Sequence, residues 1–354
     1  MNSSPEISII IPNHNRGNLL GETIESIVNQ SYKNWEAIIV DDGSSDNSDQ
    51  VGNHYAAIDH RIQYLRRDRM PAGAPTCRNV GIDRSKGNYL IFLDSDDLLT
   101  PNALSQRADA IIREPEYHFW VFPILMFRTN PRDASTLWNI DNGKSDLHRF
   151  LVLDAPWQTS GPIWRKEAVL KIGGFTEGLA CWQDVDFHLK ALITGLRGTK
   201  FYHLPPDVLY RQHETHSISQ GEISSPAKLF SREKIFITHA TSLLPAKDSE
   251  IRDDLHLLGG NIAIGAAKVL NTGVCLSLIR FGLQNRIFST GTALKLLLIM
   301  LFYFLRLNKI PLLDRYARQI TRHYRQDSNI GKHRSSSLPS LRWSRSLASS
   351  ICFR

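Results

Sequence analysis

The first hundred residues alternate short apolar runs with amphipathic stretches. Residues 7–11 and 35–40 read as buried strands, 61–65 as a weaker one and 89–93 as a fourth, each β-branched or aromatic in character. Between the first two, Leu19, Leu20, Ile24, Ile27 and Val28 fall on one face of a helix ending near Gln30. Residues 75–87, "PTCRNVGIDRSKG", read as another helix with Gly87 as its stop signal. Thr100 is the expected N-cap of the next, with Pro101 at its first position. Strands and helices alternating at this length predict an α/β fold, with a mostly parallel sheet flanked by helices on both faces.

Residues 115–165 are less regular, with aromatic and proline punctuation. A short helix over 164–175 is halted by Gly173 and Gly174. A firmer one over 183–195 has Val185, Leu189, Leu192 and Ile193 as its apolar stripe and ends at Gly195. The Ser/Gly-rich stretch 217–227 reads as a linker. Beyond it the pattern is helical to about residue 323, and the last thirty residues are polar, basic and expected to be disordered.

Composition adds a compartment and a charge. The chain has 354 residues, 42% of them hydrophobic, enough for one large α/β domain with a helical C-terminal extension. Four cysteines without a paired spacing favour a reducing compartment over a disulfide scaffold or zinc ribbon. "MNSSPEISIIIP" has no basic flank and too short an apolar run for a signal peptide, so a cytoplasmic location is expected. The net charge of +7 is concentrated late: residues 306–354 carry eleven Lys or Arg against Asp314 and Asp327. Such an excess points to an anionic surface. Few aromatics are interleaved after Tyr324, which argues against nucleic acid.

Four stretches could carry chemistry, each with an ordinary alternative. In "IIVDDGSSDNS", Asp41 and Asp42 end a strand and enter a turn. Asp-Gly is common turn chemistry and Asp46 could cap the next helix, but a carboxylate there can also accept from a base or ribose. In "YLIFLDSDDLL", three carboxylates in four positions, Asp94, Asp96 and Asp97, repel one another unless water or a cation screens them. That is a solvated acidic turn, or hard oxygen ligands suited to Mg²⁺ or Mn²⁺ beside a substrate phosphate. In "ACWQDVDFHLK", Asp184 opens a helix as an N-cap or serves as a general base. In "VLYRQHETHSIS", Arg211 and His213 share one side of an extended segment, as a plain surface strand or as groups reaching a diphosphate.

"SIIIPNHNR", "IIVDDGSSD", "CRNVGIDRSKGNYLIFLDSDD", "KIGGFTEGLACWQDVDF" and "YRQHETHSIS" occur in this order across residues 7–219. The series resembles the inverting nucleotide-sugar glycosyltransferases of family 2, which have the Rossmann-like GT-A fold. The resemblance implies a GT-A domain over 1–220, with a nucleotide-binding half of about 1–100 and an acceptor half of about 101–220. A helical region, 221–323, and a basic tail, 324–354, follow. It also implies roles. Pro12 and Asn15 border the nucleotide, Asp42 bonds the base, Arg78 lies near the donor, and Asp94 contacts ribose or sugar. Asp96 ligates Mn²⁺ or Mg²⁺, Asp184 is the catalytic base, and Arg211 and His213 neutralise the leaving diphosphate. Gln183 stands where the family's ED motif has Glu. The processive polymerases' QxxRW motif is absent, which favours addition of single sugars. The implied donor is a UDP-sugar, and the implied acceptor a saccharide or lipid-linked glycan of cell-surface polysaccharide.

Two other readings share parts of this pattern. A sugar-nucleotide pyrophosphorylase would carry a glycine-rich basic loop after the first strand, where this chain has "PNHNRGN". A degenerate nucleotide-sugar-binding module without catalysis is the other, and Asp96 and Asp184 count against it. Residues 296–305, "LLLIMLFYFL", remain open between a buried bundle helix, an interfacial or re-entrant anchor and a span. Ten helical residues rise about 15 Å, roughly half a ~30 Å hydrocarbon core. An anchor there would make the protein peripheral on the inner face of the plasma membrane.

Overall fold

The computed structural model describes residues 6–212, 225–324, 330 and 332–334. Strands β1 (Ile7–Asn13), β2 (Trp35–Asp41), β3 (Ile62–Arg66) and β4 (Tyr89–Phe92) are joined through helices α1 (Gly17–Val28), α2 (Ser48–Ile58) and α3 (Ala74–Arg84). They pair in parallel in the order β4-β1-β2-β3. β5 (Leu98–Leu99) and α4 (Ala103–Arg113) lead to β6 (Phe119–Val121), β7 (Ile124–Phe127), β8 (Thr136–Leu137), α5 (Asp146–Leu151), β9 (Pro162–Arg165) and α6 (Lys166–Lys171). Next come α7 (Gln183–Ile193), β10 (Gly198–Lys200) and β11 (Val208–Arg211). β9 enters antiparallel beside β4, completing a seven-stranded, mostly parallel sheet in the order β10-β6-β9-β4-β1-β2-β3. A smaller sheet contains β8-β7-β11-β5, joined by β12 (His333–Arg334) against β8.

β1 and β2 are buried along their whole length, as predominantly apolar strands are when helices cover both faces, with the buried Ser8 hydroxyl donating to Glu36 at 2.7 Å. Pro12 lies two residues past the last β1–β4 pairing, Ile10↔Phe92, so its missing N–H costs the sheet no bond to β4. A Cβ on Gly81 would stand 2.3 Å from Ile10 Cγ2; the glycine lets α3 press onto β1 and holds Arg78 at the sheet's carboxyl edge.

Three expected helix ends fall elsewhere. Thr100 does not cap α4. Its amide donates to Asp207 O at 2.9 Å, extending the sheet, and the helix starts at Ala103 with Gln30 Oε1 accepting the Leu104 amide at 3.0 Å. Gly87 does not stop α3, which ends at Arg84. A Cβ at Gly87 would lie 2.8 Å from the Ser8 nitrogen, so its absence serves a close approach to β1. Asp184 is not an N-cap, because Trp182 holds that position in a left-handed conformation (φ 55°) and Asp184 lies inside the first turn.

Helices α8 (Pro226–Leu243), α9 (Ser249–Lys268), α10 (Thr272–Gln284), α11 (Thr290–Phe304) and α12 (Pro311–Thr321) form the C-terminal part. It is more than an appendage. Leu255, Leu258 and Phe236 share one core with Phe150, Trp164 and Phe187. Polar links join the parts, among them His239 Nε2 with Asp186 at 2.9 Å and His148 Nδ1 with Asp254 at 2.8 Å. No helix among the described residues is long and apolar enough to cross a membrane.

One buried group of this shared core is out of place chemically. His188 on α7 is boxed by Phe150, Trp157, Trp164 and Phe187, and neither ring nitrogen has a hydrogen-bond partner among the described residues. Burial pushes it from the ordinary 6.5 down to about 3, with Arg78 adding in the same direction. Between those values the unfolded chain takes up a proton that the folded one refuses. Stability contributed by the neutral ring is therefore full above about 6.5, falls as pH drops below it and levels off near 3. His188→Phe should flatten that decline and raise stability at neutral pH by about 1–2 kcal/mol, because an unpaired buried polar group is removed. Denaturant midpoints across the pH range measure it; an unchanged pH profile would show that another group sets the decline.

Candidate functional site

The carboxyl ends of β1, β2 and β4 meet at one edge of the sheet, where open α/β sheets place ligands. The turn after β2 is built by Asp41. Its Oδ1 accepts the Gly43 and Ser44 amides at 2.9 and 2.7 Å, and its Oδ2 accepts Asn13 Nδ2 at 2.8 Å and Ser44 Oγ. Burial would raise its pKa, but the donors from Ser44 and Asn13 hold it below the usual carboxylate value. Gly43 takes the left-handed conformation this turn needs (φ 87°). Asp46 then accepts the Gly17 amide at 2.9 Å and the Ser48 amide at 3.0 Å, tying together the starts of α1 and α2. Asn15, also left-handed, faces the same turn: its Oδ1 accepts the Ser45 amide at 2.8 Å.

The Asp42 side chain takes no part in this turn; Arg67 Nε donates to its largely covered carboxylate. Arg67 was missed in the sequence although it directly follows β3. The rule that directs attention to the carboxyl ends of strands applies to "YLRRDR" as well as to the acidic turns.

The three acids after β4 have separate environments. Asp97 is fully buried: Oδ1 accepts the Arg211 amide at 3.0 Å, and Oδ2 accepts Ser160 Oγ at 3.2 Å and Gln158 Nε2 at 3.3 Å. Burial, reinforced by Asp96 and Asp94, drives it well above the usual carboxylate range. It is a structural post. Asp96 faces Arg16 Nε at 3.5 Å. Asp94 accepts from Arg78 Nη2 at 2.6 Å.

Arg78 joins the two halves of the site. Its Nη1 donates to Gln183 Oε1 at 3.2 Å, so one guanidinium spans from the acidic turn of β4 to the start of α7, 105 residues later. Asp184, the next residue, is half-buried beside it. Burial pushes this carboxyl above the ordinary carboxylate value, against the Val185 amide and the Arg78 charge, which favour the ionised form. Gln183 accepts Arg78's proton with a neutral oxygen, leaving Asp94 as the carboxylate that answers the guanidinium.

Arg211 is placed at this edge but turned away from open space. Its Nε donates to Asp96 O at 3.0 Å, Nη2 reaches Glu22 at 2.6 Å, and the guanidinium lies over Phe127. Glu22, on α1, carried no motif that would have marked it. His213 lies outside the described residues, as do most of the tail and much of the expected linker.

A divalent metal would meet hard carboxylate oxygen here, the right chemistry for Mg²⁺ or Mn²⁺. Among the described residues no three His, Cys, Asp or Glu side chains cluster closely enough to hold a metal ion by themselves. Asp96 could thus supply one corner, with phosphate and water completing the shell, as Mg²⁺ commonly requires.

Residues 8–160 match the sequence model of glycosyl transferase family 2. The chain carries a family 2 glycosyltransferase domain. Its fold is GT-A: it superposes on Staphylococcus aureus TarS residues 1–349, in complex with UDP-GlcNAc, with a TM-score of 0.55 over 82% of this chain and 90% of that one, at 16% identity. Among curated relatives, the putative teichuronic acid biosynthesis glycosyltransferase TuaG of Bacillus subtilis is 33% identical over 135 residues, 37% of this chain and 52% of its own length. The GalNAc(5)-diNAcBac-PP-undecaprenol beta-1,3-glucosyltransferase of Campylobacter jejuni is 40% identical over 101 residues, 28% of this chain and 29% of its own. The chain thus spans about half or less of the length of these two relatives. The family 2 match ends at Ser160, so α7 and Asp184 lie beyond it.

Proposed function

We propose that this protein is an inverting glycosyltransferase that moves a sugar from a UDP-sugar to a hydroxyl of a saccharide or lipid-linked glycan in cell-surface polysaccharide synthesis. The observation that carries the reading is Arg78, which ties Asp94 at the nucleotide edge to Gln183 beside Asp184. A donor held at the ends of β1, β2 and β4 would then present its anomeric carbon toward a base. TarS, bound to UDP-GlcNAc, and the undecaprenol-linked acceptor of the Campylobacter relative support the donor and acceptor classes.

In this reading Pro12, Asn15 and Asp42 line the nucleotide, and Asp42 exchanges Arg67 for the base. Asp94, steadied by Arg78, contacts ribose or sugar, and Asp96 would hold Mn²⁺ or Mg²⁺. When bound, the metal supplies positive charge to the diphosphate. Asp184 accepts the proton of the acceptor hydroxyl, whose oxygen forms a bond to the anomeric carbon from the face opposite the diphosphate. The sugar–diphosphate bond breaks with its electron pair on the leaving oxygen, and the configuration inverts in one displacement. A raised pKa suits Asp184 to this work, since a stronger base accepts the proton more readily. Arg211 positions the acidic turn through Asp96 O and Asp97, and reaches the diphosphate only by releasing Glu22. His213, two residues on, is proposed beside it.

The test is calorimetric titration with UDP, with and without Mn²⁺, on the native chain and on Asp96→Ala. Native binding should strengthen at least about tenfold with Mn²⁺, and Asp96→Ala should lose that enhancement. Metal-independent binding would remove Asp96 from the metal role. No nucleotide binding under any condition would overturn the reading, whereas UDP binding without turnover of any UDP-sugar would favour a nucleotide-sugar-binding module.

A further inference from the structure

Helix α11 is apolar on both sides but packed on only one. Ala293, Leu296, Ile299 and Tyr303 are buried in the shared core, while Leu294, Leu298 and Leu301, with Leu305 at the C-cap, are each 48–59% exposed. The spacing of four, three and four residues lines these leucines along one stripe opposite the buried face. Phe304 is exposed beside them. α12 repeats the pattern in amphipathic form: Leu312, Tyr316 and Ile320 are exposed on one side, and Arg315, Arg318 and Arg322 are exposed on another.

We infer that the outer faces of α11 and α12 lie in the headgroup region of an anionic lipid bilayer, holding the protein on the membrane surface. Charge selects this occupant. Residues 290–324 hold Lys295, Arg306, Lys309, Arg315, Arg318 and Arg322 against the single acid Asp314, which is already paired with Arg318. A second copy docking face to face would set two such basic surfaces against each other, whereas anionic lipid neutralises them. Depth is set by geometry. The 15 residues of α11 rise about 22 Å, less than a ~30 Å core, and the inner face is committed to protein. The helix therefore lies in the interface plane, with leucines toward the acyl chains and Lys295 and Arg306 at headgroup level. On this inference residues 296–305 combine two of the expected alternatives: one face is bundle core, the other is the anchor.

The inference stands independently of sugar transfer, because its readout is partition onto vesicles. The full chain is sedimented with vesicles of phosphatidylcholine alone and with about 30% phosphatidylglycerol added. Partition onto the anionic vesicles should exceed that onto neutral ones at least about tenfold and should fall in ~0.5 M salt. Leu298→Glu with Leu301→Glu should cut it about tenfold or more, and Arg315→Gln with Arg322→Gln several-fold. All four positions are exposed, so an unchanged melting temperature shows that the fold is kept. Absence of binding to anionic vesicles, binding indifferent to the glutamates, or a native dimer that the glutamates dissociate would each overturn the inference.

Discussion

Asp184→Asn is expected to lower the rate of sugar transfer by about a thousandfold or more while leaving UDP titration as in the native chain. Asparagine keeps the shape and the hydrogen-bonding reach of the side chain, and it removes the lone acceptor for the hydroxyl proton. The proposed nucleotide contacts lie at the ends of β1, β2 and β4, so the substitution leaves them in place. The pH profile carries the sharper signature. Asp184 must be ionised to act, and its pKa is raised, first by burial. The acid limb of kcat/KM should therefore lie above the ordinary carboxylate value of 3.8, with activity lost as pH falls through it. Gln183→Glu adds a second test. A carboxylate next to Asp184, answering Arg78, would compete for the guanidinium charge that now favours the ionised base, so the limb should move to higher pH. Wild-type-like turnover by Asp184→Asn would refute the assignment, and a limb unmoved by Gln183→Glu would show that Arg78 does not communicate charge between the two.

The carboxyl edge of the sheet was legible because its signals are local. An apolar run that ends in "VDDGS" or "FLDSDD" marks a strand and its carboxyl end in the same few residues, and the fold brings Asp42, Asp94 and Asp96 to one edge. Local pattern does not reveal which acid is available. Asp97 and Asp41 read like their neighbours, but Asp97 is consumed by Arg211 and Ser160 from other parts of the chain, and Asp41 by Ser44 of its own turn and Asn13 of β1. Arg67, Arg16 and Glu22 were given no role for the same reason: each matters through a partner 25 to 189 residues away. Thr100 shows the reverse error, a sound capping signal overridden when a sheet contact claimed its amide. The shared core was also hidden, since an amphipathic helix announces that it packs but not against what.

Arg107→Ala is expected to destabilise the protein by about 3–5 kcal/mol, and to damage the site as it does so. Arg107 and Asp207 are both essentially inaccessible, joined by Nε to Oδ2 at 2.7 Å and Nη2 to Oδ1 at 3.0 Å, with Nη2 also donating to Ser160 O at 3.0 Å. Truncating the arginine strands a carboxylate where burial already pushes its pKa up. A carboxyl whose folded pKa lies above the ordinary 3.8 costs stability as pH rises past that value, and the variant should lose more than the native chain, since the Arg107 charge that lowers this pKa is gone. The effect reaches the chemistry through the backbone. Asp207 O accepts the Thr100 amide, fixing β5 against β11, and β5 is the strand into which the acidic turn runs. Ser160, held by the same guanidinium, in turn donates to Asp97. Urea denaturation should therefore show the lost stability, and UDP titration of the folded fraction a weakened Mn²⁺ enhancement, because Asp96 sits on a loosened turn. The double variant Arg107→Leu with Asp207→Leu separates the two effects. Replacing both charges should recover most of the stability, since the unpaired charge is gone. Metal-enhanced binding should return with it if the pair acts on the site only by holding β5 in place. Stability restored without metal enhancement would mean that the ion pair's own geometry, and not merely a filled core, sets the position of Asp96.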